Sequence, residues 1–199
     1  MLRIPPALAS LLLLGATTPA PLAPTNEFAG AVLAKACDGK DGWDEPAPPA
    51  HLFGNTWYVG TCGITALLVT SPGGHVLVDT GTAKAAPLVI ANIRRAGFKP
   101  HDVRWIVSSH EHHDHVGGLA ALAKATGARI AALPAAAAVL RSGRTDPDDP
   151  QAAIHPAMAP VRVDRVLPDG GTVRIGPLRL RAVATPAHSP GSTSWTWQS

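Results

Sequence analysis

The sequence predicts an α/β domain with helices packed on sheets, and three observations lead to it. Short runs of β-branched and apolar residues recur along the chain, bounded by glycine and proline. Between them lie stretches of helical character that carry their own start and stop residues. The composition, 46% hydrophobic and 16% charged, supplies enough apolar surface to offset the entropy of ordering the chain. At 199 residues the chain is long enough for one substantial core.

The N-terminus reads apart from that domain. Arg3 precedes the apolar run LASLLLLGA (8–16), and small residues with prolines follow in TTPAPLAP. This is the order of a secretory signal peptide, and the run is too short to span a bilayer as a mature helix. Residues 1–23 are expected to direct export to the periplasm or the medium. A domain over 24–199 then remains, with no membrane segment.

The stretch 24–51, rich in Pro, Ala and Asp, reads as an extended or looped lead-in. Strands are expected in NTWYVG (55–60), GITALLVTS (63–71) and HVLVDTG (75–81), with PGG turning the last two into a hairpin. Pro87 opens a helix that passes Ile90 and Ile93 and stops at Gly97. DVRWIV (102–107) is a further strand, and VGGLAALAKATGA (116–128) is a helix ending near Gly127. A proline-punctuated loop is expected over about 142–160. Strand character returns in VRVDRVL, in TVRI, and, after a Gly176–Pro177 turn, in LRLRAVA.

Charge narrows the function classes. The formal net charge is only +3 and the arginines are scattered, with no dense basic block, so nucleic-acid binding is not expected. Two cysteines, Cys37 and Cys62, are an even count in an exported chain. They read either as a disulfide or as two structural thiols. No cysteine follows residue 62, so a metal site further along has no nearby thiolate.

The chemistry concentrates in SSHEHHDHVGG (108–118), where four of the nine histidines fall within six positions. In the pattern His110-x-His112-x-Asp114-His115, residues two apart on an extended segment point the same way. His110 and His112 can therefore share one ion. Asp114 and His115, where the chain turns into a helix, can face a second ion. Imidazole and carboxylate suit zinc, and an open coordination position on zinc generates a hydroxide nucleophile near neutral pH. Glu111 and His113 fill the variable positions of the pattern. His51, His75, His101 and His155 stand alone and read as surface residues.

HEHHDH after a strand resembles the metal-binding motif of the metallo-β-lactamase superfamily, whose fold is an αββα sandwich. VLVDTG resembles its early strand, which implies that Asp79 supports the metal loop from behind. The segments 41–71 and TPAHSPGSTSWTW (185–197) resemble those of subclass B3 metallo-β-lactamases. The resemblance implies that His110, His112 and His188 hold one zinc. Asp114 and His115 contribute to a second, and Asp114 also orients the attacking water. It further implies a monomeric enzyme that opens the lactam ring of penicillins, cephalosporins and carbapenems. Thioester, lactone or phosphodiester hydrolysis by the same fold is the alternative. The pattern also calls for a histidine well beyond His188, whereas the sequence ends at Ser199. The expectation is therefore a sandwich incomplete at its C-terminus, with its second site one ligand short, and an inactive product is a further alternative.

Overall fold

The computed structural model describes residues 26–199. The expected signal peptide over 1–23 lies outside them. The first helix, α1 (Gly30–Ala36), falls inside the stretch expected to be a looped lead-in, and β1 (Ala50–Phe53) begins at its end. Next come β2 (Thr56–Tyr58), β3 (Leu67–Val69) and β4 (His75–Val78), which pair antiparallel in chain order from β1. The expected turn at 72–74 closes the β3–β4 hairpin. Gly74 takes φ 131°, where few other residues fit, and donates its N–H to the Ser71 carbonyl.

Helix α2 (Ala86–Arg95) carries Pro87 in its first turn and is followed by Gly97 at φ 90°. It crosses to β5 (Val103–Val107), which lies parallel to β4. After β5 the chain forms α3 (His113–Val116) and α4 (Leu119–Thr126), separated by Gly117 and Gly118. These glycines are a packing requirement. A Cβ at Gly117 would lie 2.4 Å from the His113 carbonyl oxygen, and one at Gly118 would lie 2.7 Å from that of Thr80.

Two elements follow that sequence reading did not anticipate: β6 (Arg129–Ala132) and α5 (Pro134–Ser142). The short strand β7 (Arg165–Val166) then completes a seven-stranded sheet in the order β1 to β7, its last four strands parallel. The strands β8 (Thr172–Ile175), β9 (Leu178–Ala184) and β10 (Thr193–Thr196) form a separate antiparallel sheet.

Alternation along the strands builds two cores from one sheet. Leu68, Leu77, Ile106 and Ile130 face the helices, where they meet Val89, Ile93, Leu122 and Leu140. Val69, Val76, Val78, Trp105 and Val107 face the other way, onto Val173, Leu178, Leu180 and Ala182 of the small sheet. The described residues thus supply three layers of the expected sandwich: helices, large sheet and small sheet. The ends of β4 and β5 and the β9–β10 connection meet at one rim. Thr193 N–H and Trp195 Nε1–H tie the small sheet to the carbonyls of Ser109 and Ser108, at 2.7 and 2.8 Å.

Cys37 and Cys62 form a disulfide across 25 residues of sequence, joining the end of α1 to the loop after β2. Closing a loop of that length in the unfolded chain favours the native state by about 3 kcal/mol. Urea denaturation with and without reductant is expected to show a loss of this size. Among the described residues, no helix is long and apolar enough to cross a membrane.

Candidate metal centre

The histidine cluster begins where β5 ends. Ser108 to His112 carry the chain beyond the sheet, with His112 in extended conformation, and α3 starts at His113, inside the motif. His188 arrives from the β9–β10 connection. Ring centroids of His110 lie 4.8 Å from His112 and 4.7 Å from His188, with 4.8 Å between His112 and His188. One nitrogen from each of the three comes within 4.8 Å of the others. His110 and His112 are buried, whereas His188 is exposed, so the group opens to solvent on the His188 side. A second group joins His110, Asp114 and His115, and a third joins His112, Asp114 and His155, within the same limit.

Neighbouring acids fix which nitrogen is free on two of the rings, those of His112 and His115. His112 donates from Nε2 to Asp149 Oδ2 at 2.8 Å, with both side chains almost wholly buried. Its Nδ1 lone pair is thereby left for a metal. His115 donates from Nδ1 to Asp79 Oδ2 at 3.0 Å and keeps Nε2 free, 3.4 Å from Asp114 Oδ2. Asp79 also accepts from Ser109, from the backbone N–H and from Oγ, both at 2.7 Å. It sits at φ 63°, the one non-glycine with positive φ among the described residues.

These contacts set the protonation of the rings. Burial, reinforced by the neighbouring imidazoles of His115, His112, His188 and His155, pushes His110 down to about 3. The ring is therefore neutral at physiological pH and its lone pair is available. For His115, burial alone would lower the value. The hydrogen bond and charge of Asp79, with Asp114 beside it, outweigh burial and hold it above the ordinary imidazole range.

The donor set fits a divalent metal ion. The imidazoles of His110, His112 and His188 converge, a carboxylate stands behind the ring of His112, and another stands behind neighbouring His115. A tetrahedral ion with nitrogen bonds of about 2.0–2.1 Å would separate its ligand atoms by roughly 3.3 Å. The three histidine nitrogens, all within 4.8 Å of one another, are near enough for one ion to draw them together. No thiolate is on offer among the described residues, where no cysteine is free.

Several neighbours were not identified from the sequence. Asp149 belongs to DPDDPQ, which by composition is a solvated turn, yet its side chain is buried against His112. His155, read as a surface residue, stacks on His112 with 3.9 Å between centroids. It also shares a 2.9 Å hydrogen bond with His113. His75, read the same way, is buried against Phe98. Glu111, at a variable position of the motif, is completely buried.

A profile of the metallo-β-lactamase superfamily matches residues 59–199. Among solved structures, the metallo-β-lactamase MIM-1 from Novosphingobium pentaromativorans is 61% identical with a TM-score of 0.83. That match covers 84% of this chain and 63% of the other. MEM-A1, a subclass B3 metallo-β-lactamase isolated from a soil metagenome library, is 44% identical with a TM-score of 0.76, covering 78% of this chain and 59% of its own. A hydroxyacylglutathione hydrolase of Anaeromyxobacter dehalogenans is 34% identical over 131 residues, which is 66% of this chain and 41% of that protein. The chain thus spans less than two thirds of the proteins it matches. Its sandwich layers, its histidine cluster and these matches agree: the chain belongs to the metallo-β-lactamase superfamily, and its solved neighbours include members of subclass B3.

Proposed function

We propose that this chain is a zinc β-lactamase of subclass B3 type, acting on penicillins, cephalosporins and carbapenems. The observation that carries this reading is the convergence of His110, His112 and His188 in a chain 61% identical to a solved metallo-β-lactamase. These three histidines would hold a first zinc, and Asp114 with His115 would contribute to a second. When bound, zinc acidifies water, polarises the lactam carbonyl and stabilises the nitrogen anion that leaves.

The residues of the chain supply orientation. Asp149 and Asp79 hold the rings of His112 and His115 with their free nitrogens toward the centre. Asp114, in the single turn of α3, presents a carboxylate that would accept a hydrogen bond from the attacking water and orient it. The exposed side at His188 gives a small-molecule substrate its approach. Export of the domain 24–199 by the segment 1–23, and action as a monomer in the periplasm or medium, complete the reading. The Cys37–Cys62 disulfide suits an oxidising compartment.

Carbapenem hydrolysis by the purified, zinc-supplied chain tests it, with a chelator control and a hydroxyacylglutathione thioester as second substrate. The thioester belongs in the panel because of the 34% identical relative. Chelator-sensitive turnover of the carbapenem is expected. Turnover of the thioester alone would reassign the substrate class.

A further inference from the structure

Glu111 sits between two histidines of the proposed first zinc site, and its side chain turns into the protein, toward the 189–191 segment. It is completely buried, so its oxygens need partners. Both partners lie far along the sequence. Ser189 Oγ donates to Oε2 and the Gly191 N–H donates to Oε1, each at 2.8 Å. Ser189 is itself buried, and its N–H donates to Ser192 Oγ at 3.0 Å. At Gly191 the fit is tight: an added Cβ would lie 2.4 Å from Glu111 Oε2 and 2.6 Å from the Ala136 nitrogen. His188 immediately precedes this clasped segment and is exposed. Its own surroundings therefore constrain it far less than those of His110 and His112.

We propose that Glu111 is a positioning residue for the metal centre, clasping the 189–191 segment so that His188 is held opposite His110 and His112. The proposal rests on the reading that these three histidines bind zinc. One side chain then links the placement of the third ligand to the segment carrying the other two. Glutamate reaches where a shorter acid does not, and its two oxygens satisfy a hydroxyl and a backbone N–H together.

A double-mutant cycle on Zn²⁺ affinity, measured on the full chain by chelator competition, tests this. Glu111→Ala is expected to weaken zinc binding by about 10- to 100-fold, as supporting groups of metal ligands do. Glu111→Gln, which keeps an acceptor for Gly191, should stay within about fivefold, the size of one hydrogen bond. Because Glu111 acts through His188, adding Glu111→Ala to His188→Ala should weaken binding less than twofold further. A general structural role would give the same added loss in both backgrounds and would overturn the proposal. So would a Glu111→Ala chain that binds zinc as tightly as the parent while His188→Ala does not. If His188→Ala leaves affinity unchanged, the zinc reading itself fails. Should thermal melting show Glu111→Ala unfolded, Ser189→Ala carries the same cycle. It is expected to lose about fivefold, and only when His188 is present.

Discussion

Replacing His112 with alanine is expected to lower kcat/KM for a carbapenem by at least about 1,000-fold, because a metal without this ligand, even when bound, is displaced from the place where it supplies several kcal/mol of charge stabilisation. His112 carries this weight because it belongs to two of the three metal-competent groups, one with His110 and His188 and one with Asp114 and His155. Its substitution also strands Asp149 Oδ2, a buried acceptor whose partner is the His112 ring. A buried acceptor without its donor costs about 1–3 kcal/mol, so the variant is expected to unfold at lower urea as well. The two effects separate cleanly. Stability is read from denaturation of the zinc-free chain, and catalysis from turnover at zinc concentrations that saturate the variant. Retained turnover at full zinc loading would remove His112 from the mechanism and, with it, the proposed first site.

The elements that sequence reading placed well are those whose signals are local. Strand β9 alternates between buried and exposed residues from Leu178 to Ala182, and α2 has its proline at the start and Gly97 after its end. Strand β6 was not anticipated because its four residues, RIAA, show no alternation beyond one exposed arginine. Helix α5 did carry its signals, Pro134 at the start and Gly143 at φ 69° after the end, but two of the four residues on its buried face, Ala136 and Ala137, are alanines that mark such a face weakly beside Val139 and Leu140. The expected strand VRVDRVL contracts to Arg165–Val166 for a tertiary reason. Val161 N–H bonds to the Leu140 carbonyl in the last turn of α5, and Asp164 meets Ile130 through its own N–H and through Oδ2, so a side chain replaces part of the ladder.

The candidate site divides along the same line. His110, His112, Asp114 and His115 form a pattern within six residues, and chemistry can be read from such a pattern. The groups that orient them act over distance: Asp149 reaches His112 across 37 positions, and Glu111 reaches Ser189 across 78. Composition cannot distinguish a solvated aspartate in DPDDPQ from one buried against an imidazole. Only the loop's return over the β5 end makes that difference, and the return is a property of the fold. Asp79 lies between the two cases. Its position after VLV is legible as a strand end, whereas its positive φ and three hydrogen bonds are visible only in the structure.

Those features make Asp79 the second position of large expected effect, and two substitutions there should diverge. Alanine at φ 63° is strained by about 1–2 kcal/mol. It also removes the acceptor for the Ser109 N–H and Oγ, at a further cost of about 1–3 kcal/mol. Asp79→Ala is therefore expected to be destabilised by about 3 kcal/mol in urea denaturation. Asparagine tolerates the left-handed conformation and keeps an oxygen for Ser109, so Asp79→Asn should fold nearly as well as the parent. Its amide, however, would present an N–H toward His115 where Asp79 now presents an acceptor. The His115 ring would then accept at Nδ1 and carry its proton on Nε2, the nitrogen proposed to face the second metal. A correctly folded Asp79→Asn chain is thus expected to lose about 10- to 100-fold in affinity for its second zinc while its first site is unchanged. Zinc titration beside denaturation reads both quantities. An Asp79→Asn chain with parental affinity at both sites would mean that the His115–Asp79 bond does not set the tautomer, and that Asp79 serves only the fold of the loop.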